Sequence, residues 1–321
     1  MKNVCKYSLA DFQCLVSKFP ELKNCTKEEG EALFKRFLQM EKSCMAEPMD
    51  FLKYQFYKMS PEQIKEYVTR RQYEVLCNLY NDAHTAEMLK DKAMFMEYYS
   101  PFVEREFCLL TPKNWQKYLD LMERRKMLLL KLRNGAYGKG IKIIIPEDRG
   151  QAWEAAVTQQ YIAEEIIEQN KSLSTIHPES VNTVRILTVI SSAKQAVVVA
   201  AAFRCGIGRS ITDNGGGIFA AVDVNSGVVC TYGMTHFREV YRQHPQSGID
   251  FKGYKIPFWE KLVKRAKDAA LLYPQLRLVN WDWTLDSEGK WVLIEGNTEG
   301  GIGPCQESLH KGLKREIMRN I

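Results

Sequence analysis

The strongest constraint on how this chain can fold is a series of short β-rich segments that begins near residue 126. Residues 127–132 (MLLLKL), 141–146 (IKIIIP), 161–167 (YIAEEII), 183–190 (TVRILTVI), 196–205 (AVVVAAAFRC) and 217–224 (GIFAAVDV) are bounded by Gly, Asn, Asp or Pro. Helical patterns intervene only at 112–125, about 150–160, 257–272 and 305–319. A doubly wound parallel sheet needs a crossover helix between most of its strands, and these segments have too few. The pattern predicts an α+β fold with antiparallel sheets, with turns at Asn225-Ser-Gly227 and Asp286-Ser-Glu-Gly289.

The first 84 residues have a different texture. Thr26-Lys-Glu-Glu29 and Ser60-Pro-Glu-Gln63 each place a hydroxyl three residues ahead of Glu or Gln, the signature of a capping box. Behind these caps, Leu33, Phe34, Phe37 and Leu38, then Ile64, Tyr67, Val68, Leu76 and Leu79, recur at helical spacing. A helical N-terminal region is expected, with no chemistry in it. The 321 residues suffice for two compact units.

The formal net charge of +6 suits a phosphate-bearing ligand but is too mild and too dispersed to argue for nucleic acid. Nine cysteines include no C-x-x-C and no pair at zinc spacing, which reads as reduced thiols in a cytoplasmic protein. No window holds the roughly 18 apolar residues of a membrane span.

Chemistry concentrates in three stretches. If residues 286–289 form a hairpin loop, Trp281 lies opposite Ile294 and Trp283 opposite Val292, on one apolar face. The other face then carries Asp282, with Glu295 diagonally across and Asn297 further along the same strand. Two carboxylates and an amide carbonyl are the hard oxygen ligands that Mg²⁺ takes. The alternative is an ordinary solvated face, against which Trp291 and Leu293, placed on the same side, speak.

In the second stretch, Lys131 ends an apolar strand and is followed by Gly135, Gly138, Lys139 and Gly140. Glycines let backbone N–H groups wrap phosphate oxygens, and lysine adds a point charge. The G-x-x-x-x-G-K-[ST] pattern is absent, and a plain hairpin turn is the competing explanation. In the third stretch, Glu164 and Glu165 are adjacent on one strand and so face opposite ways; the inward one could meet an adenine amino group or a lysine. Arg185 and Arg204 lie within apolar strands, where a charge needs a partner, either a phosphate or a structural carboxylate.

The order of these features resembles the ATP-grasp superfamily. More closely, Val181-Asn-Thr-Val-Arg-Ile-Leu-Thr188, Asp213-Asn-Gly-Gly-Gly-Ile-Phe-Ala-Ala-Val-Asp223, His244-Pro-Gln-Ser-Gly, Gly253-Tyr-Lys-Ile-Pro-Phe-Trp259 and Leu293-Ile-Glu-Gly-Asn297 resemble the sugar-transfer-associated ATP-grasp family. The resemblance spans residues 85–321 and implies two α+β lobes clamping ATP, an N-lobe of about 85–165 and a C-lobe of about 166–321. It implies that Lys92 and Lys131 contact the phosphates beneath the loop of Gly135, Gly138, Lys139 and Gly140. Glu164, Glu165 and Ile167 would hold the adenine and Glu168 the ribose. Asp282, Glu295 and Asn297 would bind Mg²⁺, and Arg185 and Arg204, with Lys131, would steady the transferred phosphoryl group.

The implied activity is an ADP-forming carboxylate–amine ligase working through an acyl phosphate, on an acidic sugar or amino acid of cell-surface polysaccharide pathways. A phosphotransferase would use the same nucleotide site, and a non-catalytic nucleotide-binding module is a further reading. His244 could touch the acceptor or be an idle loop residue. Many ATP-grasp ligases carry an arginine two residues before the metal-binding Asp; that position here is Asn280. The Rossmann-like domain that often precedes the module is also missing.

Overall fold

The protein, seen as a computed structural model, is described over residues 7–135, 140–208, 216–298 and 301–321. Gly138 and Lys139 of the expected phosphate loop, and part of the motif that begins at Asp213, lie outside the described residues. Strands pair antiparallel throughout two sheets, the arrangement that sparse crossover helices require. The smaller sheet holds β1 (Phe107–Leu109), β2 (Leu128–Leu132), β3 (Lys142–Ile144) and β4 (Tyr161–Glu165) in the order β1-β4-β2-β3. The larger holds β5 (Thr183–Ile190), β6 (Ala196–Cys205), β7 (Ile218–Val222), β8 (Gly233–Met234), β9 (Val240–Tyr241), β10 (Leu278–Leu285) and β11 (Trp291–Asn297), ordered β11-β10-β5-β6-β7-β8-β9.

Alternation along each strand decides what every face meets. In the smaller sheet, Leu128, Leu130 and Ala163 pack with Tyr118, Leu121 and Met122 of the Trp115–Arg125 helix. Their neighbours Lys131 and Glu164 therefore turn to the opposite face, the one on which Ile162 packs with Phe95 and Met96. In the larger sheet, Val184, Ile186, Phe203, Trp281 and Trp283 join Leu262, Ala266 and Ala269 of the Trp259–Leu272 helix in one core. Residues 86–103, ahead of the smaller sheet in sequence, supply Leu89, Phe95, Met96 and Tyr99 to that same core. The opposite face buries Leu187, Ala202 and Leu278 against Tyr73, Cys77, Ile302 and Ile317.

The N-terminal helices have an aromatic core of their own, including Phe12, Phe19, Phe37, Phe51 and Phe56. Both expected capping boxes form, Thr26 with Glu29 and Ser60 with Gln63. Helix Arg70–Tyr80 carries this region onto the larger sheet, where the Asn81 side chain donates to the Leu278 carbonyl at 2.9 Å and accepts from its N–H at 2.8 Å.

The β10–β11 hairpin corrects the expected register. Asp282 stands directly opposite Glu295 and Trp281 opposite Gly296; beyond a bulge, Trp283 meets Leu293 and Leu285 meets Trp291. The bulge absorbs one residue of β11, which the loop length alone does not reveal. Consequently Trp291 and Leu293 lie in the tryptophan core and not on the Asp282 face.

Trp283 is fully buried in that core. Trp283→Ala should lower stability by about 3–5 kcal/mol, read as a fall in urea midpoint at unchanged m-value; a loss well under 1 kcal/mol would contradict this packing.

Candidate functional site

Where β5, β6 and β10 lie side by side, three charges meet below the sheet surface. Asp282 is paired across the ladder with Arg185. The Arg185 Nε donates to Oδ1 at 2.7 Å and its Nη2 to Oδ2 at 2.6 Å. Arg204 Nη1 adds a bond to Oδ2 at 3.1 Å. The carboxylate is 3% exposed. Burial by itself would raise its pKa, but the two guanidiniums outweigh that and hold it well below the usual carboxylate range.

This arrangement bears on two sequence expectations. Both Asp282 oxygens accept from arginine, so a metal ion here would share this carboxylate with Arg185 and Arg204. The missing arginine at position 280 is also compensated: the neighbouring strands supply charge to Asp282, while the Asn280 side-chain amide donates to Tyr73 Oη of the N-terminal helices at 2.7 Å.

Glu295 and Asn297 stand beside this triad on the same face. Asn297 Nδ2 donates to Glu295 Oε1 at 2.9 Å, which directs its amide nitrogen inward and leaves its carbonyl oxygen for another partner. Among the described residues no three His, Cys, Asp or Glu side chains gather as a metal site. A carboxylate, an amide oxygen and a neighbouring arginine-bound carboxylate fit Mg²⁺ shared with phosphates and water, and do not fit a fully caged transition metal.

The smaller sheet faces this group across a cavity of about 1030 Å³, large enough for a nucleotide together with a second substrate. Lys131 pairs with Glu164 across the sheet, and Arg105 approaches the other Glu164 oxygen at 3.5 Å. Burial opposes the charge on Glu164, but these two cations keep its pKa low. Of the two partners expected for the inward acid, the lysine is the one it meets in this structure, and Glu164 also lines the cavity. Glu165 turns the other way, to Arg125 at 3.0 Å.

Lys92 donates to the Gly135 carbonyl, and its neighbour Asp91 binds Arg133 through contacts of 2.8 and 2.7 Å, tying the start of the glycine-rich loop to residues 91 and 92. Burial lowers the pKa of Lys92 and the charge of Glu295, from the other sheet, opposes it.

The cavity thus brings together Lys92, Lys131, Gly135, Glu164, Arg185, Arg204, Glu295 and Asn297, with Asp282 beneath them. Gly140, Glu165, Ile167 and Glu168 are not among its lining residues. His244 is wholly buried, with Nε2 bonded to the Gly206 carbonyl at 3.0 Å, so it neither idles in solvent nor reaches an acceptor.

The N-terminal region, where the sequence shows no chemistry, nonetheless reaches the cavity. Asp50, Lys53, Tyr54 and Tyr73 line the cavity, as does His236 after β8. Asp50 and Lys53 are one helical turn apart, but that spacing is so common on solvated helices that it carries no signal on its own.

A model of the family described as sugar-transfer associated ATP-grasp matches residues 153–321. No curated protein matches the sequence. Among solved structures, an N5-carboxyaminoimidazole synthetase from Staphylococcus aureus is similar at 11% identity and TM-score 0.47, over 80% of this chain and 59% of that one. The VanG D-Ala:D-Ser ligase from Enterococcus faecalis is similar at 16% identity and TM-score 0.44, over 75% and 59%. This chain therefore spans less than two thirds of the length of either. No helix among the described residues is long and apolar enough to cross a membrane.

The triad carries a pH dependence. Because its folded pKa is depressed, Asp282 contributes stability that is complete above the unfolded value of about 3.9 and is lost as pH falls through the folded value. Arg185→Met should cost about 3–5 kcal/mol, since it leaves a buried carboxylate short of charge, and should move the acid loss of stability to higher pH. Urea unfolding across pH reads both; an unchanged acid limb would contradict the pairing.

Proposed function

The chain belongs to the sugar-transfer associated ATP-grasp family, and from that premise we propose that it is an ATP-dependent, ADP-forming ligase that joins a carboxylate to an amine. The observation that carries this reading is a single cavity in which lysines of the smaller sheet face arginines, a carboxylate and an amide of the larger one. No cysteine or serine lies among its described lining residues, so the residues present can position and neutralise but offer no such covalent nucleophile.

In the proposed reaction a carboxylate oxygen of the substrate attacks the γ-phosphorus of ATP and ADP leaves. The amine then attacks the carbonyl carbon of the acyl phosphate, and phosphate departs with the oxygen that made the first attack. Lys131 and Lys92 lie where they can hold the phosphates, with Glu164 keeping Lys131 in place. Arg185 and Arg204, fixed by Asp282, supply positive charge where the transferred group gains negative charge. Glu295 and Asn297 would hold Mg²⁺, which when bound screens the phosphate oxygens and orients them for in-line displacement. The acid is proposed to be an acidic sugar or an amino acid, in keeping with the family description, and the ATP-grasp module to occupy residues 85–321.

The reading is tested by ADP and phosphate release across paired acids and amines, with the product identified by mass. Glu295→Ala should cut turnover by at least about 10²-fold while leaving the unfolding transition near that of the parent protein. Normal turnover in this variant would overturn the site assignment, and a phosphate ester as product would replace the ligase with a phosphotransferase.

A further inference from the structure

The cavity is also lined by part of a second charged group that the nucleotide site does not use. Glu307, in the Gly303–Leu309 helix, is 1% exposed. Its Oε2 lies 3.1 Å from His236 Nδ1, and its Oε1 lies 3.3 Å from the Lys53 ammonium without receiving a hydrogen bond. Lys53 is in turn 3.5 Å from the buried carboxylate of Asp50. The backbone is shaped around this group: a Cβ on Gly303 would come within 2.5 Å of Glu307 Oε1 and 3.0 Å of Lys53 Nζ. Only glycine leaves room there without a shift of the ion group.

His236 is different from its buried partners. Its side chain is 49% exposed and lines the cavity. The ring packs on Phe219 at 4.8 Å, and Phe219 is the residue directly across the ladder from Arg204. Cross-strand partners share a face, so the imidazole is anchored to the same sheet face as the phosphate-facing arginine. An ionised Glu307 can only accept, so Nδ1 must carry the proton of that bond. When the ring is neutral, Nε2 is then its bare nitrogen, and among the described residues no hydrogen bond to Nε2 is made.

We propose that His236, oriented by Glu307, is the general base that removes the proton from the acceptor amine as it attacks the acyl phosphate. The assignment rests on the ligase reading. As the N–C bond forms, the attacking ammonium-like nitrogen must lose a proton; Nε2 takes it, and the positive charge that results on the imidazole lies beside the Glu307 carboxylate. Lys53 and Asp50 form the charged environment behind Glu307, while Arg238, two residues along, turns away to Glu21 at 3.0 Å. The acceptor is thereby placed where Lys53 of the N-terminal helices and His236 after β8 line the cavity. This gives the helical region a role in choosing the amine.

Two measurements on the full chain test the role. The first is the tautomer of His236, read by long-range proton–nitrogen correlation in ¹⁵N-histidine-labelled protein and assigned with His236→Gln. A protonated Nδ1 and bare Nε2 are expected; a proton on Nε2 overturns the proposal.

The second uses an acid and amine that the wild-type protein joins, with hydroxylamine as an alternative nucleophile that is already unprotonated at neutral pH and whose adduct is acidic enough to lose its proton to water. His236→Gln should lose about 10²–10⁴-fold in amide formation, while hydroxamate formation falls far less. Equal loss of both products, or loss of neither, overturns the proposal and leaves the ligase reading intact. Failure of wild-type protein to form hydroxamate with any acid removes the ligase reading and this role together.

Discussion

The contact of Arg185 and Arg204 with Asp282 is the interaction on which the site depends. A carboxylate buried to this extent is tolerated only when opposite charge and hydrogen bonds replace its lost hydration. Three strands, β5, β6 and β10, must hold their mutual register for the two guanidiniums to reach it. A slip of one residue would turn Asp282 into the tryptophan core and the tryptophans out of it. The ion triad and the apolar face behind it therefore select the same register from opposite sides of the sheet. Glu295, directly opposite Asp282, faces the cavity.

The smaller sheet repeats this logic. Lys131 and Glu164 lie on the face opposite its Trp115–Arg125 helix, and their pairing keeps a lysine directed into the cavity in place of the surrounding solvent. The Lys92 ammonium donates to the Gly135 carbonyl, at the beginning of the glycine-rich loop. Cations from two sheets point into one space, Lys131 steadied by Glu164 and the two arginines by Asp282, which limits repulsion before a ligand arrives.

Much of the fold was legible in the sequence because its signals are local. The strand segments at 183–190 and 196–205 match the observed β5 and β6 residue for residue, since branched side chains and flanking turns mark them. The capping boxes at Thr26 and Ser60 were equally readable. The β10–β11 register was not, because a bulge adds one residue without any residue type that demands it. The pairing of Asp282 with two arginines was hidden for a related reason: Arg185 and Arg204 are far from it in sequence and meet it only through strand order. Asp50, Lys53 and His236 lay outside every recognisable motif, and only the docking of helix Arg70–Tyr80 on the sheet brings the N-terminal region to the cavity.

The account stands on the idea that the cavity drives transfer of the γ-phosphoryl group to a carboxylate. The most direct measurement follows oxygen: the acid is labelled with ¹⁸O in both carboxylate positions, and the inorganic phosphate released during ATP-dependent coupling is analysed by mass. The account predicts one ¹⁸O atom in each phosphate, delivered from the acid through the acyl phosphate. Phosphate free of ¹⁸O, with the label retained in the product, would contradict it.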